Sequence, residues 1–256
     1  MKKSLAVVIP AYNEEKTIAE TLAALNRQTL NPDIIIVVDN NSTDQTALLV
    51  EKYAAQNPNI CLIKEIRKGT GYASDAGFRY AIANFDAKII CRIDADSIPD
   101  RRWIETIVDY FAGNPQKYFL AGLCKPRTDD GHGVWYDRLV WQPWWRFILI
   151  GGAIVRLEPF LLKFGFGGNL AIRREAYEAV GGFAHTDIGD SDEDHALNKA
   201  VYKHYGLRGM ARVTRAVVYT STRRIRKIGY WGIVPYYAFS GRKGRMWMTG
   251  GVIDIR

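Results

Sequence analysis

Two unbroken apolar runs, Leu5-Ala-Val-Val-Ile9 and Ile34-Ile-Ile-Val-Val38, constrain this chain more than any other feature. A strand with one wet face alternates apolar and polar residues. One that is apolar throughout is buried on both faces, the condition of a parallel sheet covered by helices on each side. The segments between the runs fit that picture. After Pro10, the apolar positions Ile18, Leu22 and Leu25 recur at helical spacing, which predicts a helix from about Glu14 with Asn13 as its N-cap. After Asp39, Ser42 or Thr43 is the expected cap of a helix reaching about Ala55. Residues 60–66 read as a third strand, 71–84 as a helix and 88–93 as a fourth strand ending at Asp94. Residues 101–112 read as a helix with Trp103, Ile107, Val108 and Phe111 on its apolar side. Strand and helix in alternation predict an α/β fold, a Rossmann-like, mostly parallel sheet flanked by helices.

Sheets of this kind bind ligands beyond the carboxyl ends of their strands. Polar residues collect at four of those ends: Tyr12-Asn-Glu14, Asp39, Arg67-Lys-Gly69 and Asp94-Ala-Asp96. The second half is less regular. Residues 132–166 are rich in aromatics, including Trp135, Trp141, Trp144 and Trp145. Then come Gly165 to Arg174, a short helix near 174–180, Gly181-Gly-Phe183, and an acidic run from Asp187 to Asp194 that enters a helix bearing Leu197, Val201 and Tyr205. A strand at 212–219 follows. No linker or repeat interrupts the chain, so residues 1–256 are expected to form one domain. Its first half is 1–115, its second 116–206, and its last segment 207–256.

Composition removes several classes. At 256 residues, 48% hydrophobic and 24% charged, the chain has ample core and is neither disordered nor fibrous. Three cysteines without a Cys-x-x-Cys pair argue against a disulfide framework or a thiolate zinc site and suit a reducing compartment. The apolar stretch after Lys2-Lys3 is too short for a signal peptide, and 147–155 and 228–241 fall short of the ~20 residues of a membrane span. A cytoplasmic protein is expected, with peripheral contact to the cytoplasmic face of a membrane left open. The net charge of +8 is localised: residues 207–256 hold eleven Lys and Arg against the single acid Asp254, and the rest of the chain is slightly acidic. Such a segment meets phosphates, an anionic membrane or simply solvent.

The polar strand ends suggest chemistry. Asp94 and Asp96 close a buried strand, where two carboxylates are costly unless solvated or bound to a cation. A hard divalent ion completed by diphosphate oxygens suits them, while Asp96 also reads as a helix cap. Asp39 suits a base imide or a ribose hydroxyl, or a turn. Glycines with the cation Lys68 at a helix start suit an anion, although neither P-loop nor dinucleotide spacing is present. Glu193 and Asp194 crowd other acids, which raises carboxyl pKa values and suits a general base. Spacing alone also allows a solvated acidic turn favoured by the helix dipole. Among the histidines, His204 reads as structural and His195 is undecided.

Taken in order, these segments resemble a family 2 glycosyltransferase of the GT-A fold. Val7 to Glu15 is similar to that family's opening strand and loop, and Val37 to Thr46 to its aspartate-rich second loop. Gly69 to Gly77 is similar to its third loop, Asp94-Ala-Asp96 to its Asp-x-Asp metal motif, and Gly168 to Glu175, Gly181-Gly-Phe183 and Glu193-Asp194 to its acceptor-side motifs. The resemblance implies inverting transfer of a sugar from a nucleotide-diphosphate sugar to a hydroxyl of a glycan or lipid-linked acceptor. It implies Mn²⁺ or Mg²⁺ held by Asp96 and Asp94. Pro10, Ala11, Tyr12, Glu14, Asp39, Asp94, Ala95 and Asp96 would contact the donor, joined by Lys68 and Arg224 as cations for its phosphates. Asp194 would be the base with Glu193 beside it. Gly168, Asn169 and Trp144 would face the acceptor, although the Trp-rich stretch also reads as a core or dimer patch.

Three positions depart from the family pattern: Asn40 and Asn41 stand where an aspartate and a glycine are usual, and Asp75 where an asparagine is. The Gln-x-x-Arg-Trp signature of processive synthases is absent, which favours addition of one sugar in cell-envelope or surface glycan synthesis. A sugar-nucleotide nucleotidyltransferase would need a Gly-rich basic loop after the first strand, where Pro10-Ala-Tyr-Asn13 stands. A nucleic-acid-binding module would rest on the basic tail alone, and nucleic acid is not expected as a partner. Arg223, Arg224, Arg226 and Lys227 are expected to close over the donor diphosphate, and Arg242, Lys243 and Arg245 to meet a membrane or lipid phosphate. A homo-oligomer is left open.

Overall fold

A computed structural model of the chain describes residues 4–127, 168–185 and 193–223. Its elements in chain order are β1 (Leu5–Ala11), α1 (Ile18–Asn26), β2 (Ile34–Asp39), α2 (Thr46–Gln56), β3 (Ile60–Lys64), α3 (Thr70–Phe85), β4 (Ile89–Ile93), β5 (Ser97–Pro99) and α4 (Trp103–Gly113). They continue with β6 (Phe119–Pro126), β7 (Asn169–Arg173), α5 (Arg174–Ala179), α6 (Glu193–Tyr205) and β8 (Met210–Thr220).

The eight strands form one sheet in the order β3-β2-β1-β4-β7-β6-β8-β5. β3, β2, β1 and β4 run parallel, β7 runs antiparallel to both of its neighbours, and β6 and β8 are parallel to each other. Apolar burial explains the first group. Every residue from Leu5 to Ile9 and from Ile34 to Val38 is buried. Alternate side chains feed two cores, one holding Val7, Ile9, Ile35 and Val37 with α1 and α4, the other holding Val8, Ile36 and Val38 with α3 and α5. Gly77 of α3 lies where a Cβ would stand 2.4 Å from Val8, so its lack of a side chain lets that helix touch the sheet.

The sheet curls. From Ile93 to Ser97 the chain advances four residues, a reach of at most about 14 Å. Yet β4 and β5 are four places apart in the strand order, about 19 Å across a flat sheet. Only a sheet rolled toward itself brings β5 back beside the end of β4, and Asp94 to Asp96 lie in that closing turn. Thr21 of α1 holds the turn by donating to the Ala95 carbonyl at 2.8 Å.

Local expectations fail in three places. The first helix starts at Ile18, not near Glu14. Asn13 has φ 54°, outside the geometry of an N-cap, and its amide oxygen instead accepts from Thr43 N–H at 2.8 Å. Ser42 and Thr43 likewise cap nothing: α2 begins at Thr46, whose N–H is taken by Asp44 at 2.9 Å. Asp96, whose alternative reading is a helix cap, is followed instead by a strand, Ser97 to Pro99, paired with Thr220 to Val218.

Candidate active site

The crevice lies at the carboxyl ends of β1, β2, β3 and β4, where parallel strands deliver their loops side by side. Pro10 and Ala11 end β1 in register with Val38 and Asp39 of β2, and Asn40 N–H continues the ladder to the Ala11 carbonyl at 2.8 Å. Tyr12 is half-buried beyond them. Asp39 is buried and its carboxylate accepts from Ser42 N–H at 3.2 Å, so it serves a turn and leaves its other oxygen for a ligand.

Asn40 ties the loop after β2 to the loop after β3. Its amide donates to the Glu65 and Arg67 carbonyls, both at 2.8 Å, and accepts from Gly69 N–H at 2.8 Å. A carboxylate there could not donate to two carbonyls, which explains an asparagine at this position. Asn41 has φ 67°, the left-handed region that glycine occupies freely and asparagine tolerates best among the other residues. Its side chain donates to the Glu65 and Ile66 carbonyls. Both side chains are engaged in holding the loop after β2 to the loop after β3. Lys68 is exposed at the rim, before Gly69 turns the chain into α3 with φ 146°.

Asp75 is the third departure and is also structural. It is buried in α3 and accepts from Arg79 at 2.7 Å, Tyr177 at 2.5 Å and His185 at 2.8 Å. Burial raises its pKa, but these donors outweigh burial and hold the carboxyl below the usual range. The contacts lock α3 to α5 and to the Gly181-Gly182 turn. His185 also stacks on Tyr72, with ring centroids 4.7 Å apart.

Asp94 and Asp96 differ in setting. The Asp94 side chain is 43% exposed, that of Asp96 14%. A Cβ on Gly168 would stand 2.5 Å from Asp94 Oδ2, so glycine leaves this carboxylate its room. Two oxygen ligands at an open edge fit a hard divalent ion whose other positions come from phosphate or water. Among the described residues no group of three or more His, Cys, Asp or Glu side chains is placed to hold a metal ion. Buried Glu14 binds Thr17 at 2.9 Å and receives both arms of Arg223, which also lies 3.4 Å from Asp96. Arg223 of the basic C-terminal segment therefore reaches the crevice. Arg224 and Trp144 lie outside the described residues, as do Arg226, Lys227 and the acids Asp187, Asp190 and Asp192.

Across the crevice, the first turn of α6 presents Glu193 and Asp194. Burial pushes the Asp194 carboxyl up to about 7. Arg92 opposes that rise, and Glu193 and Asp94 reinforce it. Removal from water is the larger cause, and the crowding acid beyond Glu193 is Asp94 of the β4 end. Glu193 packs closely on α3: its Cβ would stand 3.2 Å from a Cβ on Gly71.

Asn169 corrects an expectation. It is fully buried, accepts from Trp103 Nε1 at 2.9 Å and donates to the Leu123 and Ala216 carbonyls. Its amide fastens β7 to α4, β6 and β8 and does not face an acceptor. Arg92 is a site residue that sequence reasoning does not find. It is 2% exposed inside β4, and its guanidinium reaches Asp94, Glu193 and Asp194. The signal for it is one cation within Ile89-Ile-Cys-Arg-Ile93, two residues before Asp94.

Residues 6–181 match the family model described as Glycosyl transferase family 2. The chain belongs to glycosyl transferase family 2. Among curated family relatives, a probable glycosyltransferase of Bacillus subtilis is 28% identical over 74% of this chain and 45% of its own length. An undecaprenyl-phosphate 4-deoxy-4-formamido-L-arabinose transferase of Pectobacterium carotovorum is 34% identical over 50% of this chain and 38% of its own. The chain thus spans less than half of either relative. A structure of glucosyl-3-phosphoglycerate synthase from Mycobacterium tuberculosis with Mn²⁺, UDP-glucose and phosphoglyceric acid superposes with a TM-score of 0.66 at 18% identity, covering 99% of this chain and 82% of that one. A mannosyltransferase from Pyrobaculum calidifontis with GDP-mannose and Mn²⁺ gives 0.60 at 22% identity, covering 96% and 70%. At these identities the likeness bears on the fold, which is GT-A. No helix among the described residues is long and apolar enough to cross a membrane.

Proposed function

We propose that this family 2 protein transfers one sugar from a nucleotide-diphosphate sugar to an acceptor hydroxyl with inversion. The observation that carries the reading is the approach of Asp94, at the end of β4, to Asp194 on α6 with Arg92 between those two, and of Arg223 to Asp96 two residues on.

The roles follow from placement. Pro10, Ala11, Tyr12 and Asp39 line the part of the crevice that suits a nucleoside. Asp94 and Asp96 would hold Mn²⁺ or Mg²⁺, which neutralises diphosphate charge when bound. Lys68 and the Arg223 side of the basic segment supply further positive charge there. Asp194, poised near 7, takes the proton of the acceptor hydroxyl. The acceptor oxygen then bonds to the anomeric carbon as the carbon–phosphate oxygen bond breaks, and the nucleoside diphosphate leaves with that electron pair. Attack from the face opposite the leaving group inverts the anomeric centre.

The acceptor we favour is a lipid-linked or envelope glycan. Support comes from relatives named for undecaprenyl phosphate and for glucosyl-dolichyl phosphate, and from the basic segment 207–256. On this reading the protein works at the cytoplasmic face of a membrane. The test is a thermal-shift screen of UDP, GDP and their sugars with Mn²⁺, because a ligand that binds only the folded state raises its melting temperature. One nucleotide diphosphate is expected to give a Mn²⁺-dependent shift. No shift with any of them would reject the reading.

A further inference from the structure

Arg92 occupies a position that packing alone would give to an apolar residue. Along β4, Cys91 and Ile93 face one core, and Ile90 faces the other, with Phe78, Tyr177, Leu197 and Val201. Arg92 shares the face of Ile90 by strand alternation, and it is 2% exposed. Its guanidinium lies 5.6 Å from the centre of the Phe183 ring. A buried cation is expensive unless paired, and removing its partners is strongly destabilising. Here the pairing is asymmetric. Nη1 donates to Asp194 Oδ1, while Nη2 lies 3.5 Å from Asp94 Oδ1 and 3.8 Å from Glu193 Oε1. Nε has no hydrogen-bond partner among the described residues. The group is therefore aimed at the three acids and not at the strand backbone around it.

Those acids come from two elements with separate tasks. Asp94 ends β4 on the donor side, and Glu193 and Asp194 open α6 on the acceptor side. The rest of α6 is fixed by Leu197 and Val201 in the core, one turn and more beyond its charged end. A planar guanidinium with two parallel arms fixes both distance and orientation between groups it pairs, which an ammonium on a flexible stem does not.

We propose that Arg92 is a positioning residue, whose guanidinium holds the base Asp194 in register with the donor-side carboxylate Asp94. The inference rests on the transferase reading above. It matters because transfer needs the acceptor oxygen in line with the anomeric carbon, and a misplacement of about 1 Å costs on the order of 100-fold in rate.

The test compares Arg92→Lys and Arg92→Met with the wild-type chain, using UDP-glucose and GDP-mannose as probe donors, Mn²⁺ as the metal and water as the acceptor. Nucleotide release gives kcat and the donor KM, and thermal shift with UDP or GDP and Mn²⁺ gives donor-site integrity. Arg92→Lys is expected to keep the melting temperature, the nucleotide shift and the donor KM while kcat falls about 10- to 100-fold. Arg92→Met is expected to fall further, so that lysine is a partial rescue. If Arg92→Met does not fold, Arg92→Lys and Arg92→Lys with Glu193→Gln carry the comparison. A kcat for Arg92→Lys equal to wild type overturns the inference alone. So does a loss confined to donor KM and nucleotide shift, which would make Arg92 a donor-binding residue. A wild-type chain that neither shifts with nucleotide nor releases it overturns the transferase reading and the inference with it.

Discussion

The loops after β1, β2 and β3 and the first turn of α6 face the same crevice, but different forces hold them. The loops are held mainly by amide and hydroxyl hydrogen bonds, with the Arg67–Glu65 and Arg223–Glu14 pairs beside them. Asn13, Ser42 and Thr43 bond across the β1 and β2 ends, and Asn40 and Asn41 stitch the β2 loop to carbonyls of the β3 loop. The first turn of α6 is an ionic knot, in which Glu193 and Asp194 crowd one buried guanidinium that also touches Asp94. Amide lattices fix a surface with little sensitivity to pH or salt. Crowded charges in low dielectric store reactivity, because each carboxylate alters its neighbour's proton affinity. A nucleotide needs the first kind of surface, and an acceptor hydroxyl needs the second.

Breaking one side without the other gives the sharpest contrast. Asp194→Asn is expected to lower turnover about 10²- to 10⁴-fold, the range for loss of a general base, while the Mn²⁺-dependent nucleotide shift stays intact. Asp96→Ala is expected to lose both. Turnover and nucleotide shift falling together in Asp194→Asn would erase the distinction between the two surfaces.

The acidic limb of the rate is the next test. Burial favours the neutral acid, so below pH 7 Asp194 carries the proton it must accept, and the competent fraction grows as pH rises through about 7. Log kcat is expected to climb with pH up to that point and level above it. A flat profile between pH 5 and 8 would assign the proton transfer to another group.

Smaller effects test the frame. Asn169→Leu strands Trp103 Nε1 and the Leu123 and Ala216 carbonyls in the core, at about 1–3 kcal/mol for each buried group left unpaired. Denaturant unfolding reads this directly. Asn40→Asp removes a donor to two carbonyls and is expected to cost about 1–3 kcal/mol and to weaken the nucleotide shift. Asn41→Gly exchanges two hydrogen bonds for relief of a left-handed φ, and a change within about 0.5 kcal/mol is expected.

The donor side is legible in the sequence because burial on both faces writes itself as a continuous apolar run. β1 and β2 emerge nearly residue for residue, and the acids at their ends land in the crevice. β5 does not, since three residues paired with Val218 to Thr220 leave no local periodicity. Asn169 misleads for a related reason: nothing near it in sequence reveals that Trp103 and Ala216 use up its amide. Arg92 hides inside a strand read as apolar, and its partners Glu193 and Asp194 lie about a hundred residues later. Where long-range contacts set a side chain's role, spacing along the chain does not record it.

The pairing of Ser97 with Thr220 has a consequence for synthesis. β1 to β4 can assemble from neighbours as they leave the ribosome, in sequential parallel units. The turn carrying Asp94 and Asp96 has emerged by then, yet the strand just after it stays unpaired until β8 is made. A nascent chain that stops short of β8 therefore carries Asp94 and Asp96 without the edge that shapes their turn.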